Sequence, residues 1–120
     1  MNKRIRFVTH KGKQILRADF SNCSAAEVEK IARAIPDIVT LQPRASVLLL
    51  IDFTKASFDP DAIRALKETA VFNKHYVKKS AWIGTENLPK DFEQDLKDFS
   101  RRQFPVFKSF DEALSWLITE

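Results

Sequence analysis

Acidic and hydroxyl side chains cluster at one point of the chain, where an aliphatic segment gives way to a predicted helix. Residues 47–51 are all aliphatic, and Asp52 follows them directly. The next nine residues add four more side chains of these types, which are Thr54, Ser57, Asp59 and Asp61. In α/β domains ligands bind beyond the carboxyl ends of the strands, which is where this segment would lie. We therefore expect any functional site to lie at this junction, residues 53–62, and on the adjoining face of the second predicted helix.

Catalysis at this segment would need partner groups that the sequence does not supply in a recognisable pattern. The two glycines, Gly12 and Gly84, cannot form a phosphate-binding loop or a dinucleotide fingerprint. The two histidines, His10 and His75, have no metal-ligand spacing, and the single cysteine, Cys23, has no evident base to activate it. The sequence thus predicts a non-enzymatic protein with no catalytic residue, no metal site and no cofactor.

A phosphoacceptor domain of the response-regulator receiver type is an alternative reading of the same segment. Asp52 would be the acceptor, and Thr85 and Lys108 would follow the next two strands, as such a domain requires. A receiver also needs an acidic pair after its first parallel strand, because Mg²⁺ binds carboxylates and water. Only Asp19 is available there, so this alternative is the weaker one.

Composition limits the kind of protein. At 120 residues the chain is the size of one domain, which we assign to residues 1–120. Its apolar fraction of 44% and its charged fraction of 30% are those of a globular protein. No apolar run approaches the roughly 18 residues of a membrane span, and no secretory signal is recognisable. With one cysteine and no such signal, we expect a cytoplasmic protein. The net charge of +4 is dispersed, which argues against specific nucleic-acid binding.

The first quarter of the chain predicts a β-hairpin and then a helix. Residues 4–10 and 14–20 alternate in polarity, and Gly12 between them suits a tight turn. Ser24 and Glu27 have the spacing of a capping box, in which each side chain satisfies a free backbone N–H of the first helical turn. Apolar residues then recur at helical spacing, namely Val28, Ile31, Ala32 and Ile35.

The middle of the chain predicts a buried strand between two helices. Pro36 should end or kink the first helix. Residues 46–52 are nearly all aliphatic, which indicates a central strand covered on both faces. The second helix should begin with Asp59 as its cap and Pro60 in its first position, and it should run to about Tyr76.

The last third continues the alternation of strands and helices. Residues 80–84 form a short buried strand, residues 87–89 open a third helix, and residues 104–107 form the last strand. The third helix has an apolar stripe of Leu88, Phe92, Leu96 and Phe99. Ser109 and Glu112 then have capping-box spacing at the start of a fourth helix.

The resulting order is β-β-α-β-α-β-α-β-α. Strands that alternate with helices predict an α/β fold with a mixed, mostly parallel sheet, flanking helices and the first hairpin strand antiparallel at the edge.

Three stretches of this chain resemble the STAS superfamily, the sulfate-transporter and anti-sigma-factor-antagonist domains. LLLIDFTKASFDPDAI resembles the motif in which a strand ends in an aspartate and leads through a short loop and a phenylalanine into a helix. NKHYVKKSAWIGTENL and FPVFKSFDEALSWL are similar to the SpoIIAA-like branch. The resemblance covers nearly the whole chain and implies a SpoIIAA-like fold and a non-enzymatic regulatory role.

Typical antagonists of this family bind a kinase-like anti-sigma partner and are switched by phosphorylation of a serine at the start of the second helix. Here Pro60 or Asp61 falls at the switch position, and neither is a serine. Three interpretations stay open. Asp61 imitates a phosphorylated state, Thr54 or Ser57 is phosphorylated instead, or Asp59 and Asp61 serve only to start the helix. We favour the last, because helix starts recruit acids without any functional demand.

We therefore interpret the chain as a STAS-like regulatory or protein-interaction module that lacks the usual phosphoacceptor serine. The expected partner-binding residues are Phe53, Thr54, Ser57, Phe58, Asp59 and Asp61. Exposure of Phe53, Phe58 and Phe72 together would mark a partner surface. The oligomeric state is open, with a homodimer among the options.

The alternative function is a small-ligand or lipid-binding domain with a cavity under the second helix. The chain has ten phenylalanines and two tryptophans. Such residues could line a lipid cavity, as in the CRAL-TRIO lipid-transfer fold that STAS domains resemble in architecture, although core packing explains most of them.

Overall fold

Five strands form one sheet in the order β1-β2-β3-β4-β5 in the computed structural model, which describes residues 4–100 and 104–119. The strands are β1 (Ile5–His10), β2 (Lys13–Asp19), β3 (Val47–Asp52), β4 (Val77–Ile83) and β5 (Val106–Phe107). The helices are α1 (Ala25–Val39), α2 (Pro60–Asn73), α3 (Phe92–Ser100) and α4 (Phe110–Leu117). β1 is antiparallel to β2, and every other neighbouring pair is parallel. The predicted mixed, mostly parallel α/β sheet is confirmed.

The hairpin between β1 and β2 turns on two residues with positive φ. Lys11 has φ 49° and Gly12 has φ 82°, which is the pattern of a type I′ turn. This turn has the twist that the two strands need, so the chain can leave β1 at the sheet edge and enter β2 in register.

The central strand β3 is buried along its whole length, and each of its faces packs on a different helical layer. Leu49 and Ile51 belong to the larger core, which includes α1, α2 and α3. Leu48 and Leu50 belong to a smaller core, which α4 covers with Ala113 and other residues. The nearly continuous aliphatic sequence of β3 is therefore the consequence of having no solvent-facing side.

Short polar side chains start the helices, as the sequence predicts. Ser24 and Glu27 form a complete capping box at α1. Asp59 caps α2 with its Oδ1, which accepts from the Ala62 N–H at 2.7 Å, and Pro60 takes the first helical position. At α4 the Ser109 hydroxyl accepts from the Glu112 N–H, the first half of the predicted box. Each pairing satisfies a backbone donor that the helix cannot pair internally.

Several element ends differ from the sequence-based expectation. Pro36 does not end α1, which continues to Val39: proline lacks its own N–H, but its carbonyl accepts from the Thr40 N–H in the last turn. α2 ends at Asn73 rather than near residue 76, and β4 begins three residues earlier than predicted, at Val77. α3 begins at Phe92, after a single 3₁₀ turn at residues 85–87. Of the predicted α3 stripe, the side chain of Phe99 lies outside the described part of the chain.

Gly84 brings the end of β4 against the loop that leaves β3. It has φ 68°, and a Cβ at this position would lie 2.5 Å from the Thr54 backbone nitrogen and 2.7 Å from its Cα. Because the obstructing atoms include backbone, a side-chain rotation cannot relieve the contact. Only glycine allows this approach.

We predict that Gly84→Ala destabilises the protein more than Gly12→Ala, which is the matched control. Both residues have positive φ, but a Cβ on Gly12 meets no atom within 4 Å. Gly12→Ala should therefore cost only the left-handed penalty, about 1–2 kcal/mol of unfolding free energy. Gly84→Ala adds overpacking, about 1–3 kcal/mol more. Urea denaturation of both variants measures the difference, and equal losses would contradict the close approach.

Candidate functional site

Asp52 lies buried at the carboxyl end of β3 and fixes the start of the following loop. Its Oδ1 accepts hydrogen bonds from the Thr54 N–H at 2.9 Å and the Thr54 hydroxyl at 2.6 Å. Its Oδ2 lies 3.9 Å from Nη2 of Arg17 on β2. In the receiver alternative this carboxylate would be the phosphoacceptor. In the structure it accepts the hydrogen bonds that hold the turn after β3.

The same arrangement occurs one strand away at Asp19, which is the register partner of Asp52. Its Oδ1 accepts from the Ser21 N–H at 2.9 Å and the Ser21 hydroxyl at 2.6 Å. In both loops the residue three positions after the aspartate has positive φ, which is 59° at Asn22 and 57° at Lys55. The sequence signal, Asp-Phe followed by Ser or Thr, is visible at both strand ends, although our sequence analysis did not identify the repeat.

The intervening phenylalanines of this repeat point to the opposite face of the sheet and pack together. The rings of Phe20 and Phe53 stack with centroids 5.2 Å apart, and both side chains are buried. Successive residues of a strand point to opposite faces of the sheet. The phenylalanine that follows each aspartate therefore points into the larger core. Phe53 is therefore no part of an exposed partner surface, and our inclusion of it was wrong in that respect.

The other two phenylalanines differ from Phe53 in exposure. Phe58 is half-buried and meets the Phe53 ring edge-on at 5.7 Å, whereas Phe72, at the end of α2, is 57% exposed. The three rings do not form one exposed patch.

The remaining predicted partner-binding residues lie on the surface of the loop and of the first turn of α2. Thr54, Ser57, Asp59 and Asp61 are exposed. Backbone hydrogen bonds hold the loop from inside, with the Ala56 N–H donating to the Phe53 carbonyl and the Ser57 N–H to the Cys23 carbonyl. The result is an anchored loop with polar side chains on its outer surface.

The two acids at the start of α2 have structural partners. Asp59 is the helix cap, and the Asp61 carboxylate lies 3.5 Å from Nη1 of Arg64. Asp59 thus satisfies a backbone donor of the first turn, and Asp61 lies in that turn, where the helix dipole favours an acid. Thr54, one candidate phosphorylation site, already donates its hydroxyl to Asp52. Ser57, the other, lies two residues before the cap.

The receiver alternative gains no metal site from the structure. Thr85 is half-buried and Lys108 is exposed. Within residues 4–100 and 104–119, no group of three or more His, Cys, Asp or Glu side chains is arranged to hold a metal ion.

A cavity of about 40 Å³ lies beneath α2, between that helix, α3 and the sheet. Leu66, Thr69, Ala70 and Asn73 line it from α2, and Phe92 and Leu96 line it from α3. The sheet contributes five further residues: Leu49, Ile51, Val77, Ser80 and Trp82. Among the residues that the structure describes, no lysine, arginine, aspartate, glutamate or histidine lines the cavity.

An aromatic cluster forms one end of this cavity. The Trp82 ring stacks on Phe104 at 4.9 Å and on Phe92 at 6.0 Å, and it meets Phe53 edge-on at 5.5 Å. Pairs of this kind contribute about 0.5–1.5 kcal/mol each beyond their buried area. These contacts stabilise the aromatic part of the wall.

Three of the residues that line the cavity have a buried polar side-chain atom with no hydrogen-bond partner in the described part of the chain. These atoms are Asn73 Oδ1, Ser80 Oγ and Trp82 Nε1. By contrast, the Thr69 hydroxyl in the same wall donates to the Ala65 carbonyl at 2.8 Å. Sequence reasoning missed Asn73 and Ser80, and their only signal was a polar residue at a position whose spacing predicts burial.

The chain has the fold of one solved structure with very different sequence. That structure is a crystal structure of an uncharacterized protein from the DUF3478 family with a SpoIIAA-like fold, from Shewanella loihica PV-4. The TM-score is 0.72 at 17% sequence identity, over 94% of this chain and 91% of that chain. No protein-family model and no curated protein matches the sequence. The predicted SpoIIAA-like fold is confirmed, and the likeness extends to the fold alone.

No helix in the described ranges combines the length and the apolar character needed to cross a bilayer.

The pKa of the Asp19 carboxyl is lowered in the folded protein. Burial by itself raises this pKa, but the hydrogen bonds from the Ser21 hydroxyl and N–H and the charges of Arg17 and Arg4 outweigh it. A carboxyl whose pKa falls on folding stabilises the protein above its unfolded pKa of about 3.9, and this stabilisation is lost as the pH falls through the folded pKa.

We predict that Asp19→Asn removes an acid-sensitive part of the stability. The wild type should exceed the variant in unfolding free energy at pH 6, and the difference should shrink as the pH falls below about 4. Ser21→Ala should reduce the pH-dependent part of the stability in the wild-type background but not in a chain that already carries Asp19→Asn. Denaturant unfolding between pH 6 and pH 2.5 measures this, and a difference that stays constant over that range would refute it.

Proposed function

We propose that this chain is a non-enzymatic STAS-like module that binds a small uncharged molecule in the cavity beneath α2. One observation carries the proposal, namely a cavity of about 40 Å³ beneath α2 that is lined, among the described residues, almost entirely by apolar groups and by no charged side chain. The fold agrees with such a role but does not by itself imply it.

The size and lining of the cavity limit what enters. A water molecule needs roughly 10–15 Å³ of such volume, so about 40 Å³ accommodates two or three waters or a molecule of about that size. A larger ligand, including a lipid, would place only one end here unless the walls move. An ion would be held without a charged partner, which is strongly unfavourable.

We predict that filling the cavity abolishes ligand retention. Ala70 lines the cavity from α2, and Ala70→Leu extends its side chain into that space without lowering helix propensity much. Native mass spectrometry of freshly purified wild type should show a bound small molecule that Ala70→Leu lacks. Ala26→Leu, the same change at an exposed position on α1, is the control and should retain the molecule. The absence of any adduct from the wild type, together with failure of xenon to enter the cavity, would contradict the proposal.

A second candidate function is protein binding through the loop at residues 54–61, the regulatory role that the STAS resemblance implies. The observation that favours it is that this loop is anchored by backbone hydrogen bonds while Thr54, Ser57 and Asp61 remain exposed. Phe58, half-exposed beside them, would add an apolar contact. In this scheme phosphorylation of Thr54 or Ser57 would add charge in place of the missing family serine.

We predict that Asp61→Arg reduces partner recovery in a quantitative pull-down, because it reverses an exposed charge on the proposed surface. Asp111→Arg is the matched control, since Asp111 holds the same second helical position on α4, on the opposite face of the sheet. Both changes should cost a similar amount of stability, roughly 0.3–1 kcal/mol through the helix dipole. A partner that the Asp61→Arg variant retains as well as the control variant does would count against this surface.

A further inference from the structure

One edge of the sheet has no neighbouring strand in the described part of the chain. β1 pairs with β2 alone, and all six of its residues, Ile5–His10, take part in that pairing. An edge strand presents a row of N–H and C=O groups with which another extended chain can pair. The outer edge of β1 is therefore a place where a strand from elsewhere can be added.

The register shows which backbone groups of β1 face outwards. The Asp19 N–H donates to the Arg4 carbonyl at 2.8 Å, so these two residues are a hydrogen-bonded pair of the antiparallel ladder. Along such a ladder, hydrogen-bonded and non-hydrogen-bonded pairs alternate. The N–H and C=O groups of Ile5, Phe7 and Thr9 consequently point away from β2. A strand added at this edge would bond to these three residues.

The side chains along the edge differ between the two faces of the sheet. Phe7 lies on the same face as the buried Ile5, on the side of the larger core, and is 39% exposed. Arg6 lies on the opposite face and is exposed. An added strand would therefore meet an apolar ring on one face and a cation on the other.

Arg6 forms no ion pair with any described acidic side chain. It lies directly opposite Arg17 in the register, and like charges in that position destabilise a strand pair. Arg17 has other partners, because its Nη2 lies 3.9 Å from Asp52 and its guanidinium packs over the Phe110 ring. An acidic residue beside Arg6 on an added strand would supply the counter-charge that Arg6 lacks.

The charge of the hairpin limits what this partner can be. Residues 1–18 contain six lysines and arginines and no acid, so they carry a formal charge of +6, whereas the other residues, with fourteen basic and sixteen acidic side chains, carry −2. Pairing of two β1 edges would bring these cations together, which disfavours a second copy of this chain. A nucleic acid would attract the cations but offers no row of N–H donors for the outward carbonyls. An acidic polypeptide satisfies both requirements.

We infer that the β1 edge binds an extended, acidic segment of another protein as an added strand. The segment's backbone pairs with Ile5, Phe7 and Thr9, one of its acids lies beside Arg6, and an apolar residue packs against Phe7. This binding involves neither the cavity beneath α2 nor the loop at residues 54–61, so it goes beyond the proposed function.

A capped peptide of alternating glutamate and valine is the probe, and the same peptide with lysine in place of glutamate is its control. NMR titration of the ¹⁵N-labelled full chain measures binding, and amide hydrogen exchange shows which N–H groups become paired. Exchange at Phe7 and Thr9 should slow about twofold when half of the protein has bound the acidic peptide. Arg6 and Val8 should change little, because their N–H groups already bond to β2. The lysine peptide should not bind.

Two pairs of variants test the charge and the backbone separately. Arg6→Glu should weaken binding of the acidic peptide about tenfold at low ionic strength, whereas Arg44→Glu, the same change at an exposed residue outside the hairpin, should weaken it no more than about twofold. Thr9→Pro removes an outward N–H without removing a bond to β2, and it should weaken binding about fivefold. Thr9→Ala keeps that N–H and should bind as the wild type does. Circular dichroism checks that each variant is folded.

Slowed exchange at Phe7 and Thr9 that Arg6→Glu and Thr9→Pro both reduce would support strand addition at β1. Failure of the acidic peptide to bind, equal binding of the two peptides, or equal slowing at Arg6 and Val8 would overturn it. Tighter binding of an oligothymidylate than of the acidic peptide would assign the basic hairpin to nucleic acid instead. Slowing that grows with protein concentration in the absence of peptide would assign the edge to a second copy. Either of these two results would also overturn the inference, and none of them bears on the cavity.

Discussion

The complete burial of β3 is the constraint on which the rest of the structure depends. A strand with no exposed residue needs a paired strand on each edge and a helical layer on each face, and the chain supplies these as β2, β4, the three-helix layer and α4. The two layers are unequal. Only α4 covers one face, whereas α1, α2 and α3 enclose a larger core on the other. The cavity lies on that larger side, where α3 and the Trp82 aromatic cluster close the space beneath α2.

β2 and β3 end in the same kind of hydrogen-bonded turn. Asp19 and Asp52 each accept two hydrogen bonds from the hydroxyl residue two positions later, and the phenylalanine between them turns into the core. Gly84 then allows the end of β4 to lie against the second of these loops. Two acids of residues 52–61 thus have local structural roles, since Asp52 holds the turn after β3 and Asp59 caps α2. The exposed residues of this loop form the surface that we propose for partner binding.

Local rules account for the parts of the fold that the sequence predicts well. The hairpin turn at Gly12, the capping box at Ser24 and the cap at Asp59 each depend on residues within a few positions of one another, so spacing alone identifies them. Element ends were less accurate, as at Pro36 and Val77, because the packing of neighbouring elements decides how far a helix or strand continues. The burial of Phe53 depends on which face of β3 carries Asp52. The unpaired atoms of Asn73 and Ser80 depend on α2 packing over β4, which no local pattern records.

The central claim is that the cavity beneath α2 binds a small uncharged molecule. The most direct test is a crystal structure at a resolution that distinguishes a small molecule from separate waters, on protein purified without exchange of its bound contents. If the claim is right, that structure shows continuous non-protein density in the cavity. An empty cavity or isolated waters would contradict it.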